Sequence, residues 1–249
     1  MRFVLARMRL SQHPGGNAFD VNQRYSLVAE AAWVFQHPGG TVACRPLRVE
    51  EASMAAAIEA TRFQPSTSVS SFESLILGHN GSCCGIFIDG TLVGCAAANI
   101  TPALDGDAAE AFFDNVSILE EHSGCGLGLV LTAYLLALCS RAPHQCSRAT
   151  LEVRPGNVAA KRIYARLGFT CHGIRKRYYS HPTEDAEIHW LENMQSPEFN
   201  VVLSESVSHA LELFHVKQLF LIKQNQLLIL LQMHVFLHPL FFSFYSKNR

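Results

Sequence analysis

The chain has 249 residues, 20 lysines and arginines against 21 acids, a formal net charge of −1 and 49% hydrophobic residues. That length accommodates one domain with long extensions. The near-neutral balance removes the electrostatic case for nucleic acid, so the expected partner is a small molecule or another protein.

The first ten residues, MRFVLARMRL, hold three arginines, and no acid precedes Asp20. A mitochondrial presequence has this composition, and so does an unstructured start; Arg7 and Arg9 break the apolar run that a secretory signal requires. QHPGG occurs twice, at Gln12–Gly16 and Gln36–Gly40, too few copies for a repeat architecture. Residues 1–42 read as a poorly ordered leader with a short helix around Ser26–Phe35.

From residue 43 to residue 194, strand and helix signals alternate. Arg45–Val49 reads as a short strand, and Glu50–Arg62, with Met54, Ala57, Ile58 and Thr61 at helical spacing, as a helix. A polar loop, Gln64–Ser70, leads to a second short helix near Phe72–Leu77. Cys84–Ile88 and Leu92–Asn99 flank Asp89-Gly90, a strong hairpin signal. Ala111–Leu119 is a long strand, and Leu127–Ser140, apolar almost all round, a buried helix ended by Pro143. A strand follows at Ala149–Arg154, then a helix at Asn157–Leu167 with Gly168 just past its end. The last strands are Ile174–Tyr179 and Glu187–Leu191, separated by a turn at His181-Pro182. Interleaved helices and hairpins predict a mixed α/β sheet.

Eight cysteines, at positions 44, 83, 84, 95, 125, 139, 146 and 171, form no Cys-x-x-Cys pair. Cys139, His144 and Cys146 fall short of a zinc pattern, so no metal is expected. Reduced thiols packed as small hydrophobes in an intracellular protein fit better. The last zone, residues 195–249, changes character. Leu227–Tyr245 is mostly apolar but contains Gln232, His234, His238 and Pro239, against the ~20 apolar residues of a spanning helix. A membrane anchor, a docking helix and a segment without a role in the fold stay open.

Gly124-Cys125-Gly126-Leu127-Gly128 opens the buried helix directly after a strand. Closely spaced glycines admit a phosphate to the backbone, and the first helical amides point at it, helped by the helix dipole. Close strand–helix packing alone is the bland explanation. A mononucleotide loop needs Gly-Lys-Ser/Thr, which Gly128-Leu129-Val130 is not. The dinucleotide fingerprint needs its third glycine at Leu129 and would use Glu152 as ribose acceptor. Against it, Glu152 sits inside its strand, and no second nucleotide-binding half follows.

Gly124–Gly128, "LEVRPGNVAAKRIYARLGF" (Leu151–Phe169) and "RKRYYSHPTEDAEI" together resemble the GNAT superfamily of N-acetyltransferases. The likeness is to bacterial enzymes that acetylate the N-terminus of a small-subunit ribosomal protein, and to catalytic subunits of eukaryotic N-terminal acetyltransferases. It runs from about Pro46 to Leu191 and is strongest from Asn115 onward. It implies a mixed, mostly antiparallel sheet with a splayed central strand pair and flanking helices, and acetyl-CoA as cosubstrate. It places the pantetheine arm along Val116, Ser117 and Ile118. The pyrophosphate falls on the loop from Ser123 through Gly124, Cys125, Gly126, Leu127 and Gly128, with Leu129 in the first turn. The family's Arg or Gln at the start of that loop is Ser123 here. Glu152 matches the general base, Asn157 a CoA-contacting asparagine and Tyr164 the general acid. Phe63, Gln64 and Pro65 match one wall of the acceptor site, and Tyr178 and Tyr179 the other. Relatives usually carry an aromatic shortly after the proline, where this chain has Ser66-Thr67.

The resemblance implies transfer of acetyl to a peptide or protein N-terminal α-amine, a ribosomal protein among the acceptors, in the cytoplasm or alternatively in mitochondria. A lysine or small-amine acetyltransferase and a catalytically silent CoA-binding module remain alternatives. Taken singly, the residues have plainer explanations. Alternation puts Leu151 and Val153 on one face, so Glu152 on the other could be merely solvated or ion-paired. Tyr164 shares a helical face with Ala160, Ile163 and Leu167, as a core aromatic does.

Overall fold

The computed structural model describes residues 32–37, 40–63, 65–78, 80–102 and 109–214. The arginine-bearing start, the first QHPGG, Gln64 and Leu227–Tyr245 lie outside the described residues. In chain order the strands are β1 (Trp33–His37), β2 (Gly40–Pro46), β3 (Gly81–Ile88), β4 (Thr91–Thr101), β5 (Glu110–Ile118), β6 (Arg148–Val153), β7 (Thr170–Ser180) and β8 (Thr183–Leu191). The helices are α1 (Ala52–Ala60), α2 (Val69–Leu77), α3 (Leu127–Ser140), α4 (Val158–Arg166) and α5 (residues 197–214). The strands form one sheet in the order β1-β2-β3-β4-β5-β6-β8-β7. Its one parallel pair is β5–β6, and the other neighbours run antiparallel.

Alternating side chains divide the sheet into two faces. Cys84, Ile86, Val93 and Ala96 point into a core shared with α3. Cys83, Phe87, Leu92, Cys95 and Ala97 point into a second core with Ala55 and Ile58 of α1 and Phe72 of α2. The adjacent cysteines Cys83 and Cys84 thus serve opposite faces as free, buried thiols. Asp89 and Gly90, with φ of 48° and 82°, make the left-handed hairpin turn that the Asp-Gly pair favours.

The expected helix around Ser26–Phe35 is corrected where it is described. Residues 33–37 are a strand, with Trp33 paired to Cys44 and His37 to Gly40. Period two explains it: Trp33 is buried, Val34 exposed, and Phe35 packs back against the core. The indole meets Tyr134 of α3 edge-on, with centroids 5.1 Å apart. Gln36, His37 and Gly40 of the second QHPGG belong to the paired strands of this hairpin, and the sheet begins at Trp33 rather than at residue 43.

Residues 195–214 resolve part of the open question about the chain's last zone. α5 lies antiparallel on α3. At its start, the Gln195 amide donates to the carbonyls of Ser140 and Cys146, at 2.8 and 2.7 Å, beside the C-terminal end of α3. Phe199, Leu203, Val207, Ala210 and Phe214 recur at helical intervals and enter the α3 core. This is why α3 is apolar all round: the sheet covers one side and α5 the other. No helix among the described residues is long and apolar enough to cross a membrane.

Leu203 is 2% exposed, so Leu203→Ala should destabilise by about 2–5 kcal/mol through lost burial and a residual cavity. Val201→Ala, on the exposed side of the same helix, should stay within about 0.5 kcal/mol. Denaturant midpoints of both variants test the docking of α5; equal midpoints would contradict it.

Candidate active site

The feature that positions the site is where two strands stop pairing. β5 and β6 are in register only from Glu110↔Arg148 to Phe113↔Leu151. Beyond that point, residues 115–118 keep β4 as their neighbour and residues 152–153 keep β8. The parallel strands part at their C-terminal ends, where α3 and α4 also begin. A wedge bordered by two helix N-termini and unpaired strand edges is the usual place for a ligand in a sheet with a parallel pair. Val116, Ser117 and Ile118 line the β5 side of the wedge. Ser117 is 1% exposed and its Oγ has no hydrogen-bond partner.

The glycine turn does what its spacing suggests. Gly124 and Gly126 have φ of 70° and 90°, a region that other residues enter only with strain. Gly126 is the N-cap of α3, and its carbonyl accepts from the amides of Leu129 and Val130. The amides of Leu127 and Gly128 precede these and have no intrahelical acceptor. The side chains of Cys125, Leu127 and Leu129 are buried in the core, so only their backbone can meet an anion. Ser123, where an Arg or Gln was expected, accepts through its Oγ a hydrogen bond from Arg62 at 2.8 Å. The same guanidinium binds the Ile118 carbonyl and Glu120. Arg62, just past the end of α1, therefore ties this loop to the end of β5. Asn157 caps α4, its Oδ1 accepting from the Ala160 amide at 3.1 Å.

Of the two plain explanations for Glu152, solvation does not hold, whereas the ion pair does. Its side chain is 4% exposed; Oε1 lies 3.0 Å from Nη1 of Arg175, and Oε2 is buried with no partner. Burial pushes its carboxyl above the ordinary range, and the Arg175 charge only partly opposes this. Leu151 and Val153 face the α3 core, so Glu152 faces the α1–α2 side, across the sheet from the glycine turn. The parting of β5 and β6 opens the sheet between the two.

Tyr164 packs against the core and meets Phe169 at 5.7 Å, which satisfies the core-aromatic reading. Burial also raises its phenol well above the usual value, with neighbouring Tyr179 adding to the shift. Tyr179, pushed up to about 12 chiefly by burial, donates from its hydroxyl to the Glu152 carbonyl at 3.3 Å. Arg154 stacks on the Tyr179 ring at 3.9 Å and is held by Glu184. Tyr178, half in solvent, stands 5.3 Å from the Arg175 guanidinium. The two tyrosines thus frame the carboxylate from the β7 side.

On the other side lies a cavity of ≈ 910 Å³ between the α1–α2 loop and strands β4 and β5. Phe63 and Pro65 line it, together with Glu59, Asn99, Asp114 and Asn115, which sequence reasoning missed. Glu59 is 3% exposed, and its two oxygens accept from the Thr67 amide and hydroxyl, fixing the loop that follows Pro65. Asp114 reaches this wall because the β4–β5 register slips between Ala97 and Ala98, which leaves it opposite no residue. For a metal, the described residues offer one grouping, Cys171, Glu187 and His189. There Glu187 is already bound to Lys161 and His189.

Residues 47–169 match the sequence profile of the Acetyltransferase (GNAT) family. A Bacillus subtilis protein, provisionally assigned as a ribosomal protein bS18-alanine N-acetyltransferase, is 33% identical over 150 residues, 60% of this chain and 94% of that protein. The spermine/spermidine N(1)-acetyltransferase of Bacillus subtilis is 31% identical over 91 residues, 36% of this chain and 59% of that protein. The crystal structure of the ribosomal-protein-S18-alanine N-acetyltransferase of Escherichia coli superposes with a TM-score of 0.52 at 28% identity, covering 63% of this chain and 97% of that one.

A methyl group built on Gly126 would lie 2.5 Å from the Ala210 carbonyl oxygen, whereas one on Gly124 meets nothing within 4 Å. Both positions carry the left-handed backbone penalty of about 1–2 kcal/mol. Gly126→Ala should therefore lower the unfolding midpoint clearly more than Gly124→Ala. Equal losses would mean that α5 does not press on the turn.

Proposed function

The chain belongs to the GNAT acetyltransferase family, and from that premise we propose that it moves acetyl from acetyl-CoA to the α-amine of a peptide or protein N-terminus. The observation that carries this reading is Glu152, a buried carboxylate with one unpartnered oxygen beside the strand parting. A general base needs that environment, since desolvation moves its affinity for protons toward the working pH.

The chemistry follows from which amine is neutral. Near pH 7 roughly a tenth of an α-amine with pKa ~8 is unprotonated, against less than about a thousandth of a lysine amine at ~10.4. The neutral nitrogen attacks the thioester carbonyl carbon; the C–N bond forms as the C–S bond breaks. Glu152 takes the amine proton through a water, and Tyr164, protonated in its buried position, supplies one to the departing thiolate. The pyrophosphate would lie on the amides of the Gly124–Gly128 turn and the pantetheine along Val116–Ile118. Backbone amides on the β5 edge that faces the wedge suit an oxyanion as well. Alignment of the two reactants in the wedge contributes alongside the proton transfers.

Glu152→Gln and Tyr164→Phe should each lower kcat by ~10²–10⁴ with little change in CoA binding. The acid limb of the pH–rate profile should sit above the ordinary carboxylate range, with activity rising as Glu152 loses its proton, and that limb should vanish in Glu152→Gln. The assay compares a free-N-terminus peptide with its N-blocked, lysine-containing counterpart. Acetylation of the blocked peptide alone would overturn the α-amine acceptor. CoA binding without turnover, unaltered in Glu152→Gln, would establish the silent-module alternative.

A further inference from the structure

The β7–β8 hairpin carries a bulge on which the proposed base depends. Arg175 pairs with Ala186 and Tyr179 with Glu184, so Lys176, Arg177 and Tyr178 stand against Asp185 alone. Asp185 pins them: Oδ1 accepts from the Arg177 amide at 2.9 Å and Oδ2 from Lys176 Nζ at 2.7 Å. Arg177 has a φ of 51° there, and the residues on either side of the bulge reach the same partner. Before it, Arg175 meets Oε1 of Glu152 at 3.0 Å; after it, the Tyr179 hydroxyl donates to the Glu152 carbonyl. Arg175 must cross β8 to do so, because β8 lies between β6 and β7. Glu152 pairs with Ile188, and Ala186, two residues away on the same face, is fully buried. Its methyl group leaves the guanidinium room to pass. Glu184, Asp185 and Ala186 thus have separate tasks: the first holds Arg154, the second holds the bulge, and the third clears the path.

Resting on the general-base reading of Glu152 above, we infer that Arg175 is a positioning residue for that base. It holds the carboxylate by Oε1 and leaves Oε2, buried and without a partner, as the oxygen that takes the amine's proton. A carboxyl withdrawn from water is disfavoured in its charged form, yet a base must be charged to work. Arg175 supplies the opposing charge, and a guanidinium stays charged throughout the working range. It is half in solvent and stands 5.3 Å from the Tyr178 ring, so it offsets the burial only in part and Glu152 stays basic. Among the described residues, the other titratable groups around Glu152 do not share this task. Asp114 from β5 and Tyr178 and Tyr179 from β7 are acids themselves, and Tyr164 of α4 neighbours Tyr179. Arg154, next on that face of β6, is bound to Glu184 of β8.

The test follows kcat against pH for the whole chain with acetyl-CoA and a free-N-terminus peptide, in the unaltered protein and in Arg175→Met, Arg175→Lys and Asp185→Ala. Without the guanidinium Glu152 keeps its proton to higher pH. The acid limb of Arg175→Met should therefore move up by about one pH unit, the low end of what a nearby opposite charge does. Below the limb kcat falls about tenfold, toward the alkaline plateau the loss shrinks, and KM for acetyl-CoA does not change. Arg175→Lys should bring the limb part of the way back. Asp185→Ala, which frees the bulge but keeps both members of the pair, should move it in the same direction by less. The same displacement should be visible without any acceptor, in the carboxyl carbon resonance of Glu152 in protein labelled with isotopic glutamate, assigned by its loss in Glu152→Gln. An unmoved limb in Arg175→Met, or a loss equal at every pH with a lower unfolding midpoint, would overturn the inference and leave Glu152 as the base. An acid limb that persists in Glu152→Gln would overturn the general-base reading and the inference with it. A displaced titration with the peptide inert would support the hold of Arg175 and overturn the α-amine acceptor.

Discussion

Everything at the site depends on the failure of β5 and β6 to stay together past Phe113 and Leu151. A sheet that continued in register would pair the backbone of Val116–Ile118, cover Glu152 and close the passage between the two faces. The parting instead leaves a strip of backbone donors and acceptors beside two helix N-termini. Such a strip is unfavourable in isolation, because backbone polar groups out of reach of water need partners. A long, amide-bearing ligand laid along β5 is a natural partner for them, and the partnerless Ser117 hydroxyl at the same place has the same need.

The two faces divide the labour. On the α3 side the backbone turns around Gly124 and Gly126 and presents amides, a surface that suits anions. On the α1–α2 side, Glu59, Asp114 and the asparagines Asn80, Asn99 and Asn115 line a polar cavity. Glu152 belongs to the second surface yet stands at the edge of the opening that joins them. Its burial raises its proton affinity, and the flanking tyrosines Tyr164 and Tyr179 are held in their protonated form by burial of their own. One environment, poor in water, thus raises the proton affinity of all three groups together.

How much of this was legible beforehand depended on the range of the interactions involved. α3 was read as Leu127–Ser140, the bounds observed, because a glycine start and an apolar run are local signals. The Asp89-Gly90 hairpin was equally clear. β1 was missed because a five-residue strand beside a Pro-Gly turn carries too little pattern to separate from a leader. Within residues 195–214 the helical stripe was overlooked beside the more apolar stretch that follows it. Asp114 could not have been placed, since its direction is set by a slip in the β4–β5 register rather than by its neighbours in sequence. Arg62 and Glu59 act across loops on residues such as Ser123 and Thr67. The departure at Ser123 was visible, but nothing near it in the chain announced Arg62 as its hydrogen-bond partner.

The close approach of Ala210 to Gly126 also couples two parts of the chain that are far apart in sequence. A glycine already required by the left-handed turn leaves an empty place into which an added helix can settle without disturbing anything. Once that helix is seated, the position is held for two separate reasons, and relaxing either one still forbids a side chain. The helix of residues 197–214 thus narrows the substitutions open to a residue outside its own length.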